Sequence, residues 1–140
     1  MYKNILVAYD GSEGSRHALE QAIQLAKNLN SSLTALWVRS SLPHYPETVD
    51  EVEEVKGAAD AFLQKLSKEL LNYSRKNKID IKADTREGHP AKTIVDFARE
   101  GNFDLIVLGN RGHSGLWGDF LGHTTDRVSE SARCDVLIVR

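Results

Sequence analysis

Two spacings of apolar residues alternate along the chain. Short, nearly continuous apolar runs are separated by longer segments in which apolar residues return every three or four positions. The short runs are typical of strands buried in a parallel sheet, and the longer spacing is typical of helices with one buried face. The pattern predicts strands at residues 5–9, 33–38, 79–85, 104–108 and 136–139. It predicts a first helix that Ser15 caps. It predicts three further helices at residues 49–73, 90–101 and about 122–133.

Strands and helices alternate from the first predicted strand to the last, which predicts a parallel sheet with helices on both faces. Crossovers between parallel strands are right-handed, and five strands fit the doubly wound order 3-2-1-4-5. In residues 79–85 apolar and polar side chains alternate, which favours a strand near the sheet edge. The predicted fold class is therefore α/β, Rossmann-like, with a mostly parallel five-stranded sheet. A length of 140 residues without a linker or repeat predicts one domain, residues 1–140.

Composition limits the partners. With 41% hydrophobic and 27% charged residues we expect a soluble globular protein. The net charge of -2 and the lack of a lysine or arginine block argue against nucleic acid as a partner. No apolar run is long enough to cross a bilayer, so we expect no membrane association. The single cysteine, Cys134, cannot form an internal disulfide, which fits a reducing, cytoplasmic environment.

Glycine and hydroxyl residues cluster between the fourth predicted strand and the last helix. Gly109 and Gly112 follow the apolar run 104–108, and residues 122–125 (GHTT) open the helix. Glycine lets a backbone approach an anion, and the free N–H groups and dipole of a helix start attract phosphate. The spacing matches neither the Walker loop nor the dinucleotide-binding fingerprint. Taken alone, Gly109 and Gly112 are more typical of two surface turns than of a phosphate site.

The predicted strand order brings a second segment to the same place. In the order 3-2-1-4-5 the winding reverses between strands 1 and 4, and ligands bind beyond the carboxyl ends of the strands at that reversal. Asp10 follows strand 1 and Gly109 follows strand 4. Asp10 can also cap the turn that follows it. Two segments distant in sequence therefore converge on one predicted crevice.

Four segments resemble universal stress protein domains in order and spacing. Residues 3–12 (KNILVAYDGS) are similar to the opening of these domains, residues 87–91 (EGHPA) to the turn before the third helix, and residues 135–139 (DVLIV) to the closing strand. The spacing of the glycines at 109, 112 and 122 is similar to the signature of the ATP-binding branch. The resemblance covers about residues 3–140. It implies an adenine nucleotide alpha hydrolase-like fold with an ATP site.

The resemblance also implies a role for each part of that site. Asp10 would accept hydrogen bonds from the ribose hydroxyls, and the backbone of Val38 would meet the adenine edge. The N–H groups of residues 122–125 and the Thr125 hydroxyl would bind phosphates, Arg111 can pair with them, and Mg²⁺ would arrive with them. The full set of implied nucleotide-binding residues is Ala8, Tyr9, Asp10, Val38, Leu108, Gly109, Arg111, Gly112, Gly122, His123, Thr124 and Thr125.

His123 departs from the family pattern, which has serine or threonine directly after the third glycine. The lost hydroxyl is one phosphate donor, worth about 1 kcal/mol net. A ring N–H can replace it, and a protonated imidazole can strengthen the contact. The larger ring can instead fill the phosphate pocket and block it. Because the backbone donors and Thr125 are retained, we expect nucleotide binding to persist.

We expect a nucleotide-dependent sensor or regulator in stress response rather than an enzyme. Ser12 has no base and orienting acid at a known spacing, and no Walker-type lysine accompanies the glycine loop. The alternatives are a slow ATPase and a family member that has lost nucleotide and only binds proteins. A flavodoxin-like FMN carrier fits less well, because its phosphate loop would follow strand 1, where residues 10–15 (DGSEGS) are short and acidic. No spacing of His, Cys, Asp or Glu suggests a transition-metal site.

The last predicted strand is apolar and is expected at a sheet edge. An exposed edge invites pairing with another chain. The resemblance implies a homodimer joined through this strand, and a monomer with a covered edge is the alternative. The strand consists of Val136, Leu137, Ile138 and Val139.

Overall fold

Five strands form one sheet in the order β3-β2-β1-β4-β5, and every neighbouring pair is parallel. The computed structural model describes residues 1–40, 49–110 and 121–140, and at Val52 and residues 121–123 it describes the backbone alone. The strands are β1 (Asn4–Ala8), β2 (Ser32–Arg39), β3 (Ile81–Glu87), β4 (Leu105–Gly109) and β5 (Asp135–Val139). The helices are α1 (Glu13–Leu29), α2 (Val49–Asn77), α3 (Pro90–Glu100) and α4 (Leu121–Ser131). The predicted fold class and strand order are confirmed.

The central strands are buried because helices cover both faces of the sheet. Along β1, Ile5 and Val7 face a core that α1 and α2 complete, whereas Leu6 and Ala8 face a second core that α3 and α4 complete. All four side chains are at most 4% exposed. Burial on alternate sides explains why β1 has the continuous apolar sequence of a parallel strand.

α1 begins earlier than the sequence predicted. Its N-cap is Ser12, whose Oγ accepts a hydrogen bond from the Ser15 N–H at 3.2 Å. Ser15, the predicted cap, lies inside the first turn, and its Oγ donates to the Ser12 carbonyl at 3.0 Å. Asn30 ends the helix with a left-handed backbone (φ 56°). Two serines three positions apart both suit a cap, and the earlier one fills that role.

α2 extends beyond the sheet at its amino end. The predicted helix is confirmed and continues through Gly57, but Val49 and Val55 are 73% and 55% exposed and not part of a buried stripe. Burial begins further along, where Leu66 and Leu70 join the core with α1. A helix of 29 residues is about 43 Å long, whereas a strand of eight residues spans about 26 Å. The first turns of α2 therefore have no sheet beneath them.

β3 lies two residues later than the predicted strand 79–85. The Ile79 N–H donates to the Ser74 carbonyl at 3.1 Å, and Lys78 has a left-handed backbone (φ 54°). This is the pattern of a capped helix end, with the apolar residue after the cap packing back on the helix. Ile79 therefore belongs to the end of α2, and its apolar side chain made the strand appear to start too early.

Candidate functional site

The winding of the sheet reverses between β1 and β4, because β1 pairs with β2 on one side and with β4 on the other. Near the carboxyl ends of their strands, Ala8, Val38 and Leu108 lie on one face, in the core with α3 and α4. Asp10 follows β1 at this edge. Since β4 and β5 are parallel, α4 returns from this edge, and its start, with Thr124 and Thr125 among its first five residues, lies there too. These predicted residues therefore meet at one end of the sheet.

Asp10 is buried with one carboxylate oxygen unused. The side chain is 2% exposed, and Oδ1 accepts a hydrogen bond from the Ser12 N–H at 2.9 Å. Oδ2 is buried and has no hydrogen-bond partner among the described residues. A buried polar atom without a partner costs about 1–3 kcal/mol. The turn-capping role that the sequence allowed is confirmed for one oxygen, and the other can still accept a hydrogen bond.

Thr125 repeats this feature at the start of α4. It is 4% exposed, and its hydroxyl oxygen is buried without a hydrogen-bond partner in the described part of the chain. Thr124 beside it is 5% exposed. A hydroxyl can both donate and accept. A carboxyl oxygen and a hydroxyl, from opposite ends of the chain, thus lie buried at the same edge of the sheet with no partner in the described ranges.

The backbone of Val38 points toward the gap beyond β1. The Leu36 carbonyl accepts a hydrogen bond from the Tyr9 N–H at 2.9 Å, so Leu36 directs its backbone groups toward β1. Backbone direction repeats every second residue of a strand, so the N–H and carbonyl of Val38 point the same way. β1 has ended at Ala8, which pairs with Leu36. One donor and one acceptor at Val38 therefore face the crevice that Asp10 borders.

Gly109 has a packing role that the sequence interpretation missed. A Cβ at this position would lie 2.4 Å from the Gly14 carbonyl oxygen and 2.5 Å from its carbon. The last residue of β4 thus touches the backbone of α1, and only glycine leaves room for that contact. The sequence signal was Gly14, a second glycine near the start of a helix, and it was not used. Freedom to approach a ligand stays a prediction for Gly109.

The Tyr9 side chain lies away from the other predicted residues. It is 1% exposed in the core with α1 and α2, and its hydroxyl donates to a carboxylate oxygen of Glu69. Burial and this hydrogen bond raise the pKa of Tyr9 above its usual value. Because neighbours in a strand face opposite sides, Tyr9 cannot share the face of Ala8. The Tyr9 side chain is therefore outside the crevice, and nucleotide binding stays a prediction for its backbone alone.

In the turn after β1, the hydroxyl and carbonyl oxygens of Ser12 are already used by residues of α1. The Arg16 N–H donates to the Ser12 carbonyl at 2.9 Å, and the Ser12 hydroxyl already caps the start of α1. Gly11 makes the turn with φ 82°, and Glu13 adds a negative charge to the first turn. A phosphate would meet no free cap there and would be repelled by the carboxylate. This arrangement speaks against the FMN alternative.

Four of the predicted site residues are not described by the structure or are described as backbone alone. Arg111 and Gly112 lie outside the described residues, and Gly122 and His123 are described only as backbone in the first turn of α4. Whether the His123 ring binds or blocks phosphate therefore stays a prediction. Within residues 1–40, 49–110 and 121–140, no group of three His, Cys, Asp or Glu side chains is placed to hold a metal ion. In the same ranges, no helix has both the length and the apolar character needed to cross a membrane.

Comparison with known sequences identifies the same family that the four segments resemble. The family model for universal stress proteins matches residues 1–140. The universal stress protein YxiE of Bacillus subtilis is 36% identical to this chain over 154 aligned positions, which cover 100% of both proteins.

Structural comparison agrees. The UspA structure from Lactobacillus plantarum is 30% identical, with a TM-score of 0.85 over 99% of this chain and 98% of that one. A universal stress protein in complex with cAMP is 27% identical, with a TM-score of 0.74 over 99% of this chain and 97% of that one. The resemblance seen in the four sequence segments thus extends over the whole fold, and the chain belongs to the universal stress protein family.

Proposed function

We propose that this chain binds an adenine nucleotide, with ATP as the preferred ligand, in the crevice at the carboxyl ends of β1 and β4. Two buried polar atoms carry the proposal, Asp10 Oδ2 and Thr125 Oγ1, which have no hydrogen-bond partner among residues 1–40, 49–110 and 121–140. A relative of this chain was crystallised in complex with cAMP, an adenine nucleotide. In stress response, the bound nucleotide acts as the signal that this protein senses, and catalysis is not part of the proposal.

Each unsatisfied group matches one part of the ligand. An ionised Asp10 only accepts hydrogen bonds, and a ribose hydroxyl is a donor that fits its free oxygen. The donor and acceptor of the Val38 backbone suit an adenine edge, which also offers one of each. The first N–H groups of α4, its dipole and the Thr125 hydroxyl favour the phosphates. Mg²⁺, when present, would neutralise phosphate charge as part of the nucleotide.

Calorimetric titration of the purified chain with ATP, ADP and AMP tests the proposal. We expect all three to bind, with affinity increasing from AMP to ATP because the added phosphates meet the start of α4. Asp10→Asn should bind each nucleotide about tenfold or more weakly, since a hydrogen bond to a charged group contributes about 1.5–3 kcal/mol. Asp126→Asn makes the same change at an exposed position of α4 and should bind like the parent. Absence of binding by the parent chain would overturn the proposal.

The sensing role has its own test. We expect bound ATP to change the contacts of residues 109–122, which connect β4 to the start of α4. Limited proteolysis with and without saturating ATP should then show a different rate of cleavage in this segment. An unchanged pattern at saturation would reject the sensor and leave nucleotide binding intact.

We also propose that two copies pair through β5. The outer edge of β3 carries the charged residues Lys82, Asp84 and Arg86, and charges on an edge strand oppose pairing. β5 has only apolar residues from 136 to 139, and Leu137 and Ile138 are 38% and 39% exposed. A two-fold axis would pair β5 with itself in antiparallel fashion and continue the sheet across both subunits.

A further inference from the structure

A cleft of ≈ 480 Å³ lies between α3 and α4, and neither Asp10 nor Thr125 lines it. Two of its walls are the apolar side chains of Ala91 and Val95. Its polar lining includes His89, Lys92, Asp96 and Arg127. A volume of this size is in the range of small-molecule sites.

The charges around the cleft do not balance. Asp96 is the only carboxylate that lines it in the described part of the chain, and this side chain is already shared by two cations. Lys92 Nζ lies 2.7 Å from Asp96 Oδ2, and Arg99 Nη2 lies 3.3 Å from Oδ1. On β3, Glu87 is paired with Arg39 at 3.0 Å. Among the described carboxylates, none forms an ion pair with Arg127.

Arg127 contacts a ring instead of an anion. Its Nη1 lies 3.1 Å from His89 Nε2. A guanidinium only donates hydrogen bonds, so the imidazole accepts at Nε2 in this contact. Among the described residues, Arg127 makes no ion pair. Its remaining N–H groups keep the planar fork geometry that suits the oxygens of a phosphate or carboxylate.

The start of α3 adds donors to the same end of the cleft. Pro90 is the first helical residue, and His89 at the N-cap makes no side-chain cap hydrogen bond. The N–H groups of Ala91 and Lys92 belong to the first turn, where a helix offers them no acceptor. Backbone donors, the Lys92 ammonium and the Arg127 guanidinium thus surround one opening, with an apolar wall behind it.

We propose that this cleft binds a phosphate-type oxyanion carried by a small organic molecule, between Arg127 and the first turn of α3, separately from the nucleotide crevice. The oxygens take the N–H groups of Arg127 and of the helix start. The organic part of a phosphomonoester covers Ala91 and Val95. The site would give the protein a second ligand, bound by α3 and by the part of α4 that follows Thr125.

Amide NMR titration of the full chain tests this inference. Inorganic phosphate and phenyl phosphate are added separately at constant ionic strength, with chloride as the balancing anion. We expect saturating shifts of the Ala91 and Lys92 amides, with the ester binding more tightly than the free ion. Arg127→Gln should weaken both by tenfold or more. Arg133→Gln makes the same charge change at an exposed position outside the cleft and should titrate like the parent.

Two results would overturn the inference. Shifts that rise linearly without saturation, or that are equal in Arg127→Gln and Arg133→Gln, would show only screening of surface charge. A loss of ATP affinity in Arg127→Gln that matches its loss of phosphate affinity would place the cleft within the nucleotide site. Unchanged ATP binding together with lost phosphate binding supports a separate site. Because Arg127 is exposed, the amide spectrum of the variant should confirm an intact fold.

Discussion

Gly14 and Gly109 are in backbone contact, so that a Cβ at Gly109 would lie 2.4 Å from the Gly14 carbonyl oxygen. Gly14 is in the first turn of α1, and Gly109 is the last residue of β4. The contact holds the end of β4 against the helix that follows Asp10. Two parts of the proposed nucleotide crevice are therefore fixed relative to each other by a close approach that side chains would prevent.

Gly109→Ala should destabilise the protein. The added methyl group meets backbone atoms that cannot rotate away, and such overpacking costs about 1–3 kcal/mol or more. Chemical unfolding measures the loss. Gly57→Ala is the matched control, because a Cβ there lies inside α2 and, apart from its own helix backbone, meets no atom of the described residues within 4 Å. That variant should gain about 0.5–1 kcal/mol from helix propensity. Equal stability of the two variants would contradict the packing role of Gly109.

Asp10→Asn and Thr125→Val should separate stability from binding. The asparagine amide would still offer an oxygen to the Ser12 N–H, and valine keeps the shape of threonine. Asp10→Asn replaces an unpartnered carboxylate oxygen with a neutral NH2 group, and Thr125→Val removes an unpartnered hydroxyl, so neither change breaks a described hydrogen bond. The free energy of unfolding without nucleotide should therefore stay constant or rise by up to about 1 kcal/mol. The affinity for ATP should fall in both. A large loss of stability in the nucleotide-free variants would show instead that these atoms have a structural function.

Much of this architecture was predictable because burial leaves a direct trace in sequence. The runs in β1 and β4 are apolar throughout, since both faces are covered, and the alternation of strands and helices leaves few sheet orders. Asp10 was predictable as a cap and a crevice residue because it follows the first of these strands. The strand order then placed it near α4 without any knowledge of contacts.

The features that the sequence did not predict depend on where a helix or strand ends and on which element packs beside it. The apolar spacing of α2 is the same over its exposed start, at Val49 and Val55, as over its buried part at Leu66. Helix periodicity cannot show whether a sheet lies underneath. The contact of Gly14 with Gly109 needs the position of α1 over β4, which no local pattern contains. The opposite directions of the Tyr9 and Ala8 side chains, in contrast, follow from strand alternation alone.

The protein should lose stability at alkaline pH, and the ionisation of Tyr9 should account for part of that loss. Burial, with the hydrogen bond to Glu69, raises its pKa above 10.0 in the folded state. Above about pH 10 the unfolded chain loses this proton while the folded chain retains it, so the free energy of unfolding decreases as pH rises. Below that pH the contribution is fully present. Urea unfolding measures the free energy of unfolding between about pH 8 and 11, on both sides of the usual tyrosine pKa. This free energy should decrease less steeply with pH in Tyr9→Phe than in the parent. Parallel curves would contradict this origin of the pH dependence.

A proline on the outer edge of β5 should prevent dimerisation without opening the sheet. The Asn110 N–H donates to the Val139 carbonyl at 2.8 Å, so Val139 and Leu137 direct their backbone groups toward β4, and Ile138 directs its own outward. Ile138→Pro therefore removes an edge donor and leaves the β4–β5 hydrogen bonds in place.

The opposite edge supplies the control for this change. The Gly88 N–H bonds to the Arg39 carbonyl, so by the same alternation Ala83 directs its N–H away from β2, and Ala83→Pro removes an outward donor from β3. Sedimentation should show a dimer for the parent and for Ala83→Pro, and a monomer for Ile138→Pro. A dimer that survives Ile138→Pro would place the contact elsewhere, and a monomeric parent would reject pairing through β5. Because a free edge of apolar residues is a site of unwanted pairing, Ile138→Pro should also reduce aggregation through this edge.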